Sequence, residues 1–252
     1  MPRHTQVRGD GNCSDGDTCP SAHWTDRGTI ITVGKQVTDP ADLADLAIAA
    51  DEVPNELPGE FFPEARPLIT DPAELSAFLR RATFELARVE ALPFYDVGTD
   101  GGDYERYVRG QDGPDAARKA AWHKVLQSRL DGGIRTRRVH IVRTPLSDYL
   151  RFEFEWGYRP NAGYEDIRIL DVAEAGALAS LARVGDFWVV DGAAAAVMAY
   201  DEAGRYLGFR EATAGTLPLY AAVMDAAWDA GEPFGAWWDT HREYWRGNRQ
   251  AA

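Results

Sequence analysis

The sequence predicts an α+β fold: an antiparallel sheet flanked by helices, with a small N-terminal β-containing lobe. Three observations predict it. Apolar residues recur at three- and four-residue spacing between about 71 and 131. Short β-branched and aromatic runs then follow, joined by turn signals and short segments. A proline-spaced, irregular stretch from Val53 to Pro67 precedes both, which divides the chain into domains 1–67 and 68–252.

Residues 1–20 are rich in Gly, Asp, Cys and Ser without periodicity and are expected to form a mobile tail. Gly28-Thr-Ile-Ile-Thr-Val-Gly34 reads as a short strand bounded by glycines, with Lys35-Gln-Val37 as its return. Asp39-Pro40 supplies an N-cap and a preset first turn for a short helix. Asp71-Pro72-Ala73-Glu74 is the clearest helix start, and Leu75, Phe78, Leu79, Ala82, Leu86 and Val89 carry the expected helix to about Ala91. Residues 95–113 read as a loop with a helical turn at Tyr104–Val108. Asp115 to Asp131 is a second helix ended by Gly132-Gly133, with Trp122, Val125, Leu126 and Leu130 as its stripe.

Ile134 to Val142 is a β-rich run stopped by Pro145. Ser147 to Trp156 fits either period: Phe152, Phe154 and Trp156 alternate, whereas Tyr149, Phe152 and Trp156 are helically spaced. The Ser147 cap and Asp148 in the first turn favour a helix. Ile167–Leu170, Phe187–Val190, Ala195–Tyr200 and Tyr206–Glu211 read as strands, the last two joined by the turn Asp201-Glu-Ala-Gly204. An aromatic helix from about Leu219 to Ala230 and a Trp-rich tail close the chain.

Of the 252 residues, 45 % are hydrophobic and 11 % aromatic, enough for a sizeable core. A formal charge of −13 argues against bulk nucleic-acid binding or adsorption to an anionic membrane. No apolar run approaches the roughly 18 residues that span a bilayer, and the amino terminus has no signal-like segment. Two cysteines cannot build a disulfide framework. These features predict an acidic, cytoplasmic protein. The charge is uneven, however. Residues 104–151 carry eleven Arg or Lys against five Asp or Glu, so an anion site can hide behind the net charge.

Phosphate-loop, dinucleotide-fold, nucleophile-elbow and H-E-x-x-H motifs are missing, and no cofactor is expected. Cys13-x5-Cys19-x3-His23 is a poor tetrahedral frame, so no metal is expected either. The segment Arg135–Asp191 carries the interleaved polar residues. On a strand, Arg138 and His140 share one face; on a helix, Asp148 and Arg151 are neighbours, as are Arg151 and Glu155. One reading is a salt-bridge network tying the sheet to its covering helix. The other places an arginine cluster, with Tyr149, Glu153 or Glu165, around a phosphate or carboxylate.

Arg138 through Trp156, Asn161 through Arg168 and Asp186-Phe-Trp-Val-Val-Asp191, with Ala82–Glu90 and Trp122, resemble an actinobacterial family classed as a domain of unknown function (number 6879), over about residues 72–230. Gly163-Tyr-Glu-Asp166 departs from the Ala-Gly-Glu-Asp-like stretch expected there. Cys19-Pro20, Thr25–Thr29, Gly34 and Asp39-Pro40 are similar to small actinobacterial proteins encoded beside such domains. The family's helix-turn-helix neighbours imply a regulatory or toxin–antitoxin-like setting and no particular reaction. The expectation is therefore an interaction module that binds a partner protein or a small anionic ligand. The partner surface would be the aromatic cluster Trp228, Trp237, Trp238, Tyr244 and Trp245, the alternative being a C-terminal helix that packs these rings into the core; the ligand site would draw on Arg138, His140, Tyr149, Asp166, Arg168 and Trp188. The alternative is a phosphodiester hydrolase or ribonuclease-like enzyme in which Arg143 and Arg151 stabilise charge and Glu153 or Glu165 is the general base. A concave pocket lined by those four residues would favour the enzyme, and a closed paired cluster the structural network.

Overall fold

A computed structural model describes residues 4–8, 21–25, 30–43, 53–56, 67–96, 102–173 and 175–248. The chain divides into two compact units, Met1–Arg66 and Pro67–Ala252. In the first, β1 (His4–Arg8), β2 (Ser21–Thr25) and β3 (Ile30–Val33) form an antiparallel sheet. The expected tail thus contains a strand, while Cys13 and Cys19 lie outside the described residues. β4 (Lys35–Gln36) pairs with β5 (Asn55–Glu56) and does not return along β3. The Asp39 carboxylate accepts the Ala41 N–H at 2.8 Å and starts α1 (Pro40–Leu43), as its capping chemistry requires.

The second unit is built on a seven-stranded sheet. Its elements run α2 (Pro72–Leu79), β6 (Glu85–Glu90), α3 (Asp103–Val108), α4 (Ala116–Asp131), β7 (Arg135–Val142) and α5 (Asp148–Phe152). A π-helical segment, Glu153–Tyr158, continues α5 into α6 (Arg159–Asn161) and then β8 (Asp166–Asp171). A 3₁₀ segment, Gly176–Val184, leads to β9 (Phe187–Val190), β10 (Ala194–Tyr200) and β11 (Tyr206–Glu211). α7 (Leu217–Ala230), β12 (Glu232–Pro233) and α8 (Phe234–Thr240) follow.

The strand order is β11-β10-β9-β6-β7-β8-β12. The α+β class holds, but the sheet is mixed: β6, β7 and β8 are parallel neighbours and the other pairs are antiparallel. Parallel neighbours need crossovers, and α3–α4 and α5–α6 supply them.

The helix expected over 71–91 is the main correction. It starts as predicted, with the Asp71 carboxylate accepting the Ala73 N–H at 2.8 Å, but it ends at Leu79. Residues 85–90 form a strand between β7 and β9, where both faces are covered. Leu86 and Val89 fit a helical period, yet Leu86, Ala87 and Val89 are all buried, which a one-sided helix would not require. Asp191 enforces the change of direction by accepting the N–H groups of Thr83, Phe84 and Glu85 at 2.8–3.0 Å.

One face of the sheet packs under α7. Ala87, Val89, Val139, Ile141, Phe187 and Val189 meet Val223, Met224 and Ala227 there. The opposite face lies beneath the aromatic α5–π segment and α8. Trp237, Trp238 and Tyr244 are buried around Phe154, so this aromatic cluster belongs to the core and is not an exposed docking surface.

Candidate functional site

The alternation of β6 and β7 places Arg88, Glu90, Arg138 and His140 on the face opposite α7. The register pairs Arg88 with Arg138 and Glu90 with His140. Glu90 is 1 % exposed and sits between two guanidinium groups, 2.8 Å from Arg88 and 2.5 Å from Arg138. The Tyr158 hydroxyl donates to it at 2.9 Å. Arg138 also donates to Glu165 at 3.0 Å and lies 5.2 Å over the Tyr158 ring. Burial alone would raise the Glu90 carboxyl; the two arginines and Tyr158 more than offset it and hold it at about 2.

His140 is fully buried, with Nε2 3.3 Å from the Leu92 carbonyl and Nδ1 2.6 Å from the Tyr158 hydroxyl. Burial pushes it down to about 4, so it is neutral at physiological pH. A neutral imidazole has one N–H. With that hydrogen on Nε2 toward Leu92, the single hydroxyl hydrogen of Tyr158 serves either Nδ1 or Glu90, not both. Glu153, the first residue of the π segment, has an Oε2 3.7 Å from His140 Nδ1 and without a hydrogen-bond partner. Burial and the neighbouring Glu90 carboxylate push Glu153 up to about 8, so it is a neutral acid.

Two aspartates clamp β6 to β9. Asp191 takes the start of β6, as described, and is held well below the usual carboxylate range by those N–H donors and the Thr83 hydroxyl. Asp186 takes its end, accepting the Ala91 N–H at 2.9 Å and the Tyr95 hydroxyl at 2.6 Å. Burial pushes Asp186 up to about 6. The motif Asp186-Phe-Trp-Val-Val-Asp191 is thus a strand with a backbone clamp at each end.

A cleft of about 450 Å³ opens at the carboxyl ends of the three parallel strands. Leu92 and Pro93 after β6, Arg143 and Ser147 after β7, and Val172 after β8 line it, with Leu150 of α5. The Ser147 hydroxyl donates to the Pro93 carbonyl at 2.5 Å while accepting the Leu150 N–H at 3.1 Å, so one side chain joins two strand ends and caps α5. Arg143 is exposed, and among the described residues it has no ion-pair partner.

The residues singled out in the sequence are therefore divided among several places, although Glu165, Asp166 and Arg168 line one further cleft of about 440 Å³ with Arg135 and Trp228. Arg138, His140, Glu153 and Glu165 join the buried cluster, whose principal partners Arg88 and Glu90 sequence reasoning missed. Arg143 lines the cleft. Arg151 lies over the Tyr244 ring at 5.2 Å, and Tyr149 is buried among Phe94, Tyr95 and Tyr104. Asp166 pairs with exposed Arg135 at 3.1 Å. Arg168 donates to the Trp228 and Gly231 carbonyls at 2.7 and 3.3 Å, which closes the end of α7. Trp188 is buried under Arg88 at 4.9 Å. Among the described residues no group of His, Cys, Asp and Glu could hold a metal ion, and no helix is long and apolar enough to cross a membrane.

Fold and site define an α+β domain with a closed polar network inside its core and a cleft beside it. The chain belongs to the family described as Domain of unknown function (DUF6879), whose model matches residues 73–239. No curated protein matches the chain.

Proposed function

We propose that the chain is a cytoplasmic binding module of a regulatory system, of the actinobacterial kind its resemblance implies, and that its cleft takes a ligand with an anionic group on an apolar body. One observation carries this reading. Among the described residues Arg143 has no ion-pair partner, and it stands at a cleft with walls of Leu92, Pro93, Leu150 and Val172, at the carboxyl ends of parallel strands, where open sheets of this kind bind ligands. The hydrolase reading has less support. Glu165 stands level with the start of β7, whereas Arg143 follows its end, roughly 20 Å away at about 3.3 Å per residue. Glu90, Arg138, His140 and Glu153 do not line the Arg143 cleft.

The test uses anilinonaphthalene sulfonate, an apolar fluorophore with an anionic group, against its uncharged analogue phenylnaphthylamine. The sulfonate should bind at one site and the analogue weakly. Arg143→Ala should weaken the sulfonate about 10- to 100-fold, the worth of a charge-assisted contact of about 1.5–3 kcal/mol. Equal binding of sulfonate by Arg143→Ala would sink the reading. Hydrolysis of a phosphodiester probe that Glu153→Gln abolishes would restore the enzyme.

A further inference from the structure

The same unit carries a second concavity that the Arg143 cleft does not explain. α2 and α4 flank a groove of about 650 Å³ whose floor is Leu86, Ile134 and Trp188. Leu79 of α2 and Trp122 and Val125 of α4 form its sides. α4 is sixteen residues long yet buries only Leu126, and Val125 is 45 % exposed. An apolar stripe left open on a helix of this length is the kind of surface that marks an interaction site.

The rim has one sign of charge. Arg80, Lys124 and Arg129 line the groove, and among the described residues no Asp or Glu does, in a chain whose net charge is −13. Among the described residues Arg80 and Lys124 have no ion-pair partner, and Arg129 lies 5.6 Å over the Trp122 ring. We propose that this groove docks an acidic amphipathic helix of a partner protein. The apolar face of such a helix would cover Trp122 and Val125, and its flanking carboxylates would meet the three cations. A partner helix of about four turns would match the roughly 24 Å length of α4. A second copy of the chain is a poorer occupant, because a two-fold pairing would bring the two cationic rims together.

The test titrates the full-length protein into a fluorescein-labelled synthetic peptide of about five turns. The peptide has leucines at i, i+3, i+4 and i+7 spacing and glutamates elsewhere. Its anisotropy should rise saturably, and binding should weaken as salt rises. The double variant Arg80→Glu with Lys124→Glu should bind at least tenfold more weakly. Val125→Ser should weaken binding with no charge change, and Arg109→Glu, outside the groove, should leave it unchanged. Melting temperature and circular dichroism check that each variant is folded. The proposal fails if a lysine version of the peptide binds equally well, or if the double variant folds and binds as the wild type does. It fails also if sedimentation shows a dimer that Val125→Ser makes monomeric, since the occupant is then a second copy. Displacement of the peptide by a single-stranded oligonucleotide at equal concentration would likewise assign the groove to phosphate and overturn it.

Discussion

The two faces of the central sheet are made from alternate residues of the same strands, yet one is apolar and the other holds ions. Under α7, Val89, Val139, Ile141 and Phe187 gain stability from area removed from water, which is non-directional and worth about 25 cal/mol per Å². Opposite them, Glu90, Arg138 and His140 are equally removed from water, Arg88 is half-buried beside them, and all four are held by specific partners. The first face needs volume; the second needs every member present, because a buried charge that loses its partner keeps its desolvation penalty. A buried arginine–carboxylate cluster is therefore no sign of a ligand site. Arg143, exposed at the cleft and without an ion-pair partner among the described residues, is the better one.

The largest effect that could break this contrast is Arg138→Met. It leaves Glu165 buried without its guanidinium and Glu90 with Arg88 alone, and should cost about 3–5 kcal/mol in a denaturant melt. Adding Glu165→Leu to it should recover part of that loss, since the charge left without any partner goes too, whereas Glu90 must stay to pair Arg88. On the apolar face, Met224→Leu conserves volume and should cost less than about 1.5 kcal/mol. If the two single variants cost the same, the faces do not differ as described.

A smaller effect sharpens the contrast through pH. Glu153 is pushed from its usual 4.5 up to about 8 by burial and by Glu90. Between those values the folded state keeps a proton that the unfolded chain has released, so stability falls as pH rises. Asp186, pushed up to about 6, acts in the same sense below pH 6. His140, pushed down to about 4 from 6.5, acts oppositely, and its contribution is lost as pH falls from 6.5 to 4. From pH 6.5 to 8 only Glu153 of the three still titrates. The urea midpoint should fall across that window, and Glu153→Gln should flatten it. A wild-type midpoint that rises there would contradict the assignment. The smallest expected effect on stability is that of Arg143→Ala, at an exposed position without an ion-pair partner among the described residues, at no more than about 0.5 kcal/mol by the same melt.

What was legible in the sequence follows the range of each interaction. Asp39, Asp71, Asp115 and Ser147 each cap within three residues, and every one of those starts stands. The alternation Arg138, His140 was legible for the same reason. The parallel pairing of β6 with β7, and of β7 with β8, was not, because register between strands about fifty and thirty residues apart leaves no local mark. Reading 85–90 as helix hid Arg88 and Glu90, although Leu86-Ala87-Arg88-Val89-Glu90 carries the same period of two as Arg138-Val139-His140. Arg143 was named from the sequence, but its cleft comes from three strand ends and shows only in the fold. For the tail aromatics both a docking surface and packing into the core fit the sequence, and only the fold shows that α8 turns Trp237 and Trp238 onto Phe154.

The claim that the Arg/Glu cluster is structural, and that recognition lies at Arg143, is tested most directly by melting two variants with and without anilinonaphthalene sulfonate. Arg138→Met should lower Tm by about 6–20 °C, from 3–5 kcal/mol at 2–4 °C per kcal/mol, and still bind the probe below its transition. Arg143→Ala should melt within about 2 °C of the wild type, as a change of 0.5 kcal/mol allows, and lose the probe. The opposite pattern, with Arg138→Met stable but unable to bind and Arg143→Ala binding normally, would place the site in the cluster and contradict the account.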